Sequence, residues 1–149
     1  MIQESAKISF KESACGCKPS ILIVDDGPTN ILAIKLMSEE MLNVKVDEAN
    51  NGLVAVEQFQ KQVNKKCRCD NRFYRIIFMD IEMPEMNGIE ACREIKKLMD
   101  ENQQENSKCV IIFQTAYYSS KNYKNCLDSG GTEVLNKPIV FNKLANILN

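Results

Sequence analysis

Five side chains able to do polar chemistry stand at the ends of short apolar runs. Asp25 and Asp26 follow Ser20-Ile-Leu-Ile-Val24, Asp80 follows Ile76-Ile-Phe-Met79, Thr115 follows Val110-Ile-Ile-Phe113 and Gln114, and Lys137 follows Thr132-Glu-Val-Leu135 and Asn136. Three carboxylates brought to one place repel and raise each other's pKa unless a cation neutralises them. Oxygen ligation by a few carboxylates points to Mg²⁺, which keeps several waters and leaves room for phosphate oxygens. A carboxylate held beside such an ion is placed to attack phosphorus and form an acyl phosphate. In phosphoryl transfer the protein mainly positions groups and neutralises charge, and here Lys137 supplies the positive charge and Thr115 a hydroxyl donor.

The elements that must position these groups follow from the pattern. Ile76 to Met79 reads as a strand covered on both faces, with Asp80 the first residue to leave it and Pro84 and Gly88 forcing an irregular turn. Ser20–Val24, Val110–Phe113 and Thr132–Leu135 read as further buried strands, and Val44–Ala49 alternates like an edge strand. Gly27-Pro28-Thr29-Asn30 opens a helix running to about Met41, with Ile31, Ile34, Met37 and Met41 on one face and Leu32 and Leu36 widening it. A second helix follows Asn50-Asn51-Gly52 and carries Val54, Val56 and Phe59. A third is predicted from Asn87 to Asp100, a fourth from Tyr117 to Ser129 ending at Gly130-Gly131, and a fifth from Ile139 to Leu148. Met37, Met41 and Met99 read as core. Five strands alternating with five helices predict an α/β doubly wound parallel sheet, because each pair of parallel strands needs a crossover. Ligands bind such sheets beyond the carboxyl ends of the strands, where all five polar groups would converge.

Composition narrows the chemistry. The chain has 149 residues, 44% of them hydrophobic, which predicts one domain with a proper core. Residues 1–19 are polar and mixed and read as a flexible leader, leaving 20–149 for the domain. The net charge of −1 shows no basic footprint for nucleic acid or an anionic membrane. No apolar run spans a bilayer and no signal pattern opens the chain, so a soluble cytoplasmic location is expected. There is no histidine, which excludes a histidine-based triad, a histidine metal ligand and a phosphohistidine within these residues. Polar stretches at Lys61–Arg72 and Glu101–Lys108 read as surface excursions.

The acidic pair Asp25-Asp26, Asp80 in Met-Asp-Ile-Glu-Met-Pro-Glu-Met-Asn-Gly, Thr115-Ala116 and Lys137-Pro138 together resemble the receiver domain of two-component response regulators, over Ser20 to Leu148. The resemblance implies a flavodoxin-like five-stranded sheet in the order 2-1-3-4-5. It implies that Asp80 is the phosphoacceptor, taking its phosphoryl group from a phosphohistidine on a histidine kinase or histidine phosphotransfer protein. Asp26 and Asp80 would bind Mg²⁺ directly, Asp25 largely through water, and the Glu82 backbone carbonyl would complete the protein ligands. Lys137 and Thr115 would contact the phosphoryl oxygens beside Ala116 and Pro138, with Thr115 moving inward as the switch and a cis Lys137-Pro138 bond aiming the lysine. Two positions depart from or vary the pattern. Val134 stands where the family usually has Tyr or Phe, so an activated change would run through Thr115 and the following loop. Tyr117 stands two residues past the threonine, where its bulk would shield the acyl phosphate.

Three functions fit to different degrees. The reading favoured is a signalling receiver rather than a conventional enzyme, catalysing only its own phosphorylation and dephosphorylation. A pseudo-receiver that binds partners without phosphorylation is the first alternative; the intact acidic pair speaks against it. A phosphatase of the haloacid dehalogenase type would need a second aspartate two residues after the nucleophile, where this chain has Glu82. No output domain is expected after Leu148, and the leader and long excursions resemble receivers of eukaryotic hybrid histidine kinases. Taken singly, Asp25 or Asp26 would serve equally well as a helix N-cap. Seven scattered cysteines read as reduced thiols. Five of them, Cys15, Cys17, Cys67, Cys69 and Cys109, precede strands and would gather at the end of the sheet opposite the acids, where a four-thiolate zinc site or redox pair becomes geometrically possible.

Overall fold

The computed structural model describes residues 8–65, 67–102 and 109–148. Five parallel strands form one sheet in the order β2-β1-β3-β4-β5. The strands are β1 (Ser20–Val24), β2 (Lys45–Ala49), β3 (Ile76–Asp80), β4 (Val110–Thr115) and β5 (Glu133–Asn136). The helices are α1 (Pro28–Met41), α2 (Gly52–Val63), α3 (Gly88–Glu101), α4 (Ser120–Asp128) and α5 (Phe141–Leu148). The first seven residues of the leader and positions 103–108 of the second excursion lie outside the described residues. Among those described, no helix is long and apolar enough to cross a membrane.

The period-two geometry of a strand explains why the central runs are apolar throughout. Leu22, Val24, Ile77, Met79, Ile111 and Phe113 face one side and pack with Ala55 and Phe59 of α2, Ala91, Cys92 and Ile95 of α3, and Cys126 of α4. Ile21, Ile23, Ile76, Phe78 and Ile112 face the other and pack with Ile31 and Ile34 of α1 and Leu144 and Leu148 of α5. Each such side chain contributes roughly 1.5–3 kcal/mol when fully buried. The helices therefore clamp the sheet from both faces and fix the register on which the strand ends depend.

Three helix starts use a side-chain cap: Asn51 accepts from Val54 N–H (2.9 Å), Asn87 from Glu90 N–H (2.9 Å) and Ser119 from Asn122 N–H (3.1 Å). Gly130, at φ +113°, ends α4 in the left-handed conformation that favours glycine. Two expectations about helix faces are corrected. Leu32 and Leu36 do not widen the buried stripe of α1; they are 53% and 56% exposed, because the seam of that helix runs through Ile31, Ile34 and Ser38. The fourth helix begins at Ser120 rather than Tyr117, since Thr115 to Tyr117 closes on itself in a tight turn.

At the amino end of the sheet a buried polar network fastens the connection between α2 and β3. Gln62 donates to Ser20 Oγ (3.0 Å), Arg72 Nε to the Val63 carbonyl (2.9 Å), and Arg75 Nε to Asn71 Oδ1 (3.1 Å). The Asn71 side-chain amide reaches the carbonyls of Lys11 (2.9 Å) and Cys17 (2.8 Å) and the Ser13 hydroxyl (2.9 Å). Ile8 and Phe10 pack against the apolar cluster under α1 and α5. Residues 8–19, read from composition as a flexible leader, thus have defined contacts, made by a buried asparagine whose partners no local pattern announces.

Gly88 starts α3 against the last residue of β3. A Cβ there would collide with the Asp80 carbonyl and lie 2.9 Å from Met79 Cγ, while the Gly88 N–H donates to the Ile81 carbonyl at 2.9 Å. The helix can approach the strand end only without that carbon. Gly88→Ala is expected to destabilise the domain by about 1–3 kcal/mol, the usual cost of overpacking, measured as a lowered urea midpoint. An unchanged midpoint would show that the approach is not tight.

Candidate functional site

Strand register delivers the site. Pairing of Asp80 with Gln114 and of Thr115 with Asn136 brings the carboxyl ends of β3, β4 and β5 level, and Val24 opposite Met79 places Asp25 one step beyond β1. Asp80 and Thr115 are the last residues of their strands rather than the first to leave them, so rigid backbone holds both. One carboxylate oxygen from each of Asp25, Asp26 and Asp80 lies within 4.8 Å of the others. The sequence-predicted acids are therefore brought together.

Their surroundings differ. Asp25 is buried; its Oδ1 accepts from the Gly27 N–H (2.7 Å), and its Oδ2 from Asn30 Nδ2 (2.6 Å) and from Lys137 Nζ (2.8 Å). Lys137 Nζ also lies 3.0 Å from Asp80 Oδ2, so one ammonium bridges two carboxylates. Asp26 is exposed. Burial pushes the Asp80 carboxyl up to about 6, with Asp25 and Asp26 adding to the rise and Lys137 opposing it. Burial alone would lower Lys137, but its hydrogen bonds to Asp25 and Asp80 outweigh that and its net shift is upward.

The lysine is placed by backbone as well: its N–H donates to the Thr115 carbonyl at 2.8 Å, and the Lys137-Pro138 peptide is cis, as the resemblance implied. Glu82, Ala116 and Pro138 lie exposed in the loops around the acids. The loop after Asp80 contains a tight turn in which Met86 N–H donates to the Pro84 carbonyl (2.8 Å) and Glu85 takes φ +68°. The Thr115 hydroxyl donates to the Tyr117 carbonyl (2.9 Å) and accepts from the Tyr117 N–H (3.0 Å). It is turned towards its own loop. Tyr117 is 77% exposed. Val134 is buried in the core with Phe113 and Cys126.

Sequence reasoning missed two polar members. Asn30 was read only as part of a helix start, yet its amide bridges Asp25 Oδ2 and Gln114 Oε1 (3.1 Å). Gln114 is fully buried, and its Nε2 has no hydrogen-bond partner among the described residues. A glutamine ending an otherwise apolar run beside Thr115 was the available signal.

The donor set fits a hard divalent cation. It offers carboxylate oxygens from three residues, two of them on strand ends or next to them and one exposed, with no thiol or imidazole among them.

Comparison with known proteins gives the family. A model of the response regulator receiver domain matches residues 21–149, and the chain belongs to that family. It is 32% identical over 130 residues to histidine protein kinase 1 of Candida albicans, covering 86% of this chain and 5% of that one. It is 33% identical over 132 residues to the peroxide stress-activated histidine kinase mak1 of Schizosaccharomyces pombe, covering 87% and 7%. The chain thus spans a small fraction of the length of these curated relatives. A two-component response regulator from Clostridium difficile superposes with a TM-score of 0.68 at 26% identity, over 87% of this chain and 91% of that one. The receiver-domain co-crystal of Saccharomyces cerevisiae Ypd1 and Ssk1 gives a TM-score of 0.74 at 24% identity, over 88% and 86%, which shows the shared fold.

The raised Asp80 pKa has a consequence for stability. The folded carboxyl holds its proton to about pH 6, against an ordinary value of 3.8. The folded state therefore binds more protons in that window, and its stability falls as pH rises from 3.8 through 6. In chelator, Asp80→Asn is expected to stabilise the protein at pH 7.5 by on the order of 1–3 kcal/mol and to have little effect near pH 3.5. Urea unfolding at the two pH values checks this; equal effects at both would contradict it.

Proposed function

We propose that Asp80 accepts a phosphoryl group from a phosphohistidine and that the chain works as a phosphorelay receiver in the cytoplasm. The observation that carries this reading is the Lys137 ammonium bridging Asp25 and Asp80 within a cluster of three carboxylates. An Asp80 oxygen attacks phosphorus, the phosphorus–nitrogen bond breaks, and the leaving imidazole takes up a proton, leaving an acyl phosphate on Asp80. Lys137 moves from neutralising the carboxylate to neutralising the phosphoryl oxygens. Asp26, Asp80 and the Glu82 carbonyl would hold Mg²⁺, with Asp25 acting through water, while Ala116 and Pro138 shape the rim of the site. When bound, such an ion would shield the acids' mutual repulsion and the charge on the phosphoryl oxygens. Thr115 reaches those oxygens only by giving up both bonds to the Tyr117 backbone. Switching therefore rearranges the turn from 115 to 117, and buried Val134 supplies no aromatic rotor.

The donor histidine is not among these residues, since the chain has none. The kinase names of the relatives and the pairing of Ypd1 with a receiver support a histidine kinase or histidine phosphotransfer protein as partner. Its docking surface is assigned to the exposed leucines of α1, Leu32 and Leu36, together with exposed Val140 and Phe141 at the start of α5. Helices α1 and α5 pack together, and α1 opens with Asn30, a member of the site. A partner seated there would hold its histidine over Asp80.

The test compares two donors. With Mg²⁺, acetyl phosphate is expected to phosphorylate wild type and Leu36→Asp equally. A phosphorylated histidine phosphotransfer protein is expected to transfer to Leu36→Asp at least about tenfold more slowly, the equivalent of about 1.4 kcal/mol. Asp80→Asn is expected to accept from neither. Phosphorylation of Asp80→Asn would overturn the acceptor assignment; equal slowing with both donors, or slowing with neither, would overturn the docking assignment alone.

A further inference from the structure

At the end of the sheet opposite the acids, the side chains of Cys15, Cys17, Cys67 and Cys69 converge. Their sulfur atoms all lie within 4.8 Å of one another, and Cys15 and Cys67 Sγ are 3.4 Å apart although 52 residues separate them in sequence. We propose that these four thiols form a tetrathiolate zinc site that fastens the leader to the connection between α2 and β3.

The geometry suits a single tetrahedral ion. Zinc–sulfur bonds of about 2.3 Å put the sulfurs of a tetrahedron about 3.8 Å apart, close to the spacing already present. All four cysteines are free thiols, well beyond the roughly 2.05 Å of a disulfide. Soft thiolates in a compact set of four select zinc over the hard cations suited to the carboxylate cluster.

The two halves of the site are also built and held. Gly16, at φ +91°, lets the chain turn between Cys15 and Cys17, and that turn is closed by Gly16 N–H to Ser13 carbonyl (2.8 Å) and Ser13 N–H to Cys17 carbonyl (2.9 Å). On the other side the Arg72 N–H donates to the Cys69 carbonyl (3.0 Å), and buried Asn71 ties its own segment to Lys11, Ser13 and Cys17. These bonds orient the cysteine backbones as supports around a metal site do. Electrostatics agree: Zn²⁺ with four thiolates carries two negative charges, and the hollow containing Cys17, Cys67 and Cys69 is lined by Lys18, Lys45, Lys65 and Arg72. Binding replaces four S–H bonds with four Zn–S bonds and releases four protons, with no oxidation or reduction. Cys109, which the sequence placed with this group, is buried in the core and takes no part; Cys92 and Cys126 are also buried.

The test uses the untagged 149-residue chain, purified in reductant without chelator. Elemental analysis is expected to find one zinc per chain, lost in Cys17→Ser and in Cys69→Ser and retained in Cys109→Ser. Cobalt added to the metal-free chain is expected to give the intense visible absorption and sulfur-to-metal charge transfer of a tetrahedral thiolate complex. In metal-free protein four thiols should react quickly with a thiol reagent, and zinc should protect all four. Zinc should also raise the Tm of wild type and not of Cys17→Ser, because it binds the folded state. The proposal is overturned if one equivalent of added zinc protects no thiols and gives no shift in Tm. It is equally overturned if mass spectrometry of the chain purified without reductant finds these four cysteines joined as disulfides that zinc cannot prevent. None of these readouts depends on phosphorylation at Asp80.

Discussion

The site depends on one ammonium group. Two carboxylates at about 4 Å repel each other by roughly 4 kcal/mol in the intermediate dielectric of a protein surface, and Asp25 and Asp80 are both largely removed from water. Lys137, at 2.8 and 3.0 Å from them, makes their proximity tolerable. It is held there by the end of β5 and its backbone bond to Thr115. The offset is incomplete, since Asp80 still titrates near 6. Burial, with the repulsion from Asp25 and Asp26 adding to it, keeps Asp80 basic enough to be a competent nucleophile and the acidic cluster receptive to a cation. Everything upstream, from sheet register to the glycine contact beneath Asp80, serves to keep three charges at those distances.

The two ends of the sheet solve different problems with different chemistry. At the carboxyl end, charge is concentrated, the Gln114 Nε2 has no hydrogen-bond partner among the described residues, and the Thr115 hydroxyl is bonded only to its own loop. Such groups can change partners when a phosphoryl group arrives. At the amino end, Gln62, Asn71, Arg72 and Arg75 are buried and satisfied, which makes that end stiff. The cysteine cluster sits on this rigid end and joins the leader to it.

The strands were legible because period-two burial on two covered faces leaves only apolar residues: Ser20–Val24 and Ile76–Met79 could hardly be anything else. The acids, Thr115 and Lys137 were legible for the same reason, as polar residues at or just beyond the ends of such runs. Helix faces were less so. Leu32 and Leu36 satisfy a helical spacing, and only the placement of α5 beside α1 decides that they remain exposed. The gathering of Cys15, Cys17, Cys67 and Cys69 was legible from their places ahead of adjacent strands, whereas the exclusion of Cys109 and the partners of Asn71, up to 60 residues away, were not, since no local periodicity encodes them. The backbone bonds between Tyr117 and Thr115 were not legible, because a backbone group carries no signal in residue type.

The most direct test of the central claim is reductive trapping of the acyl phosphate. Borohydride reduces an aspartyl phosphate to homoserine and leaves a free carboxylate unchanged. After incubation with acetyl phosphate and Mg²⁺, peptide mass spectrometry is expected to find homoserine at position 80, in an amount that falls sharply when Lys137 is replaced by Ala or Mg²⁺ is withheld. Homoserine at Asp25 or Asp26 instead, or at none of the three, would contradict the assignment of Asp80 as the phosphoacceptor.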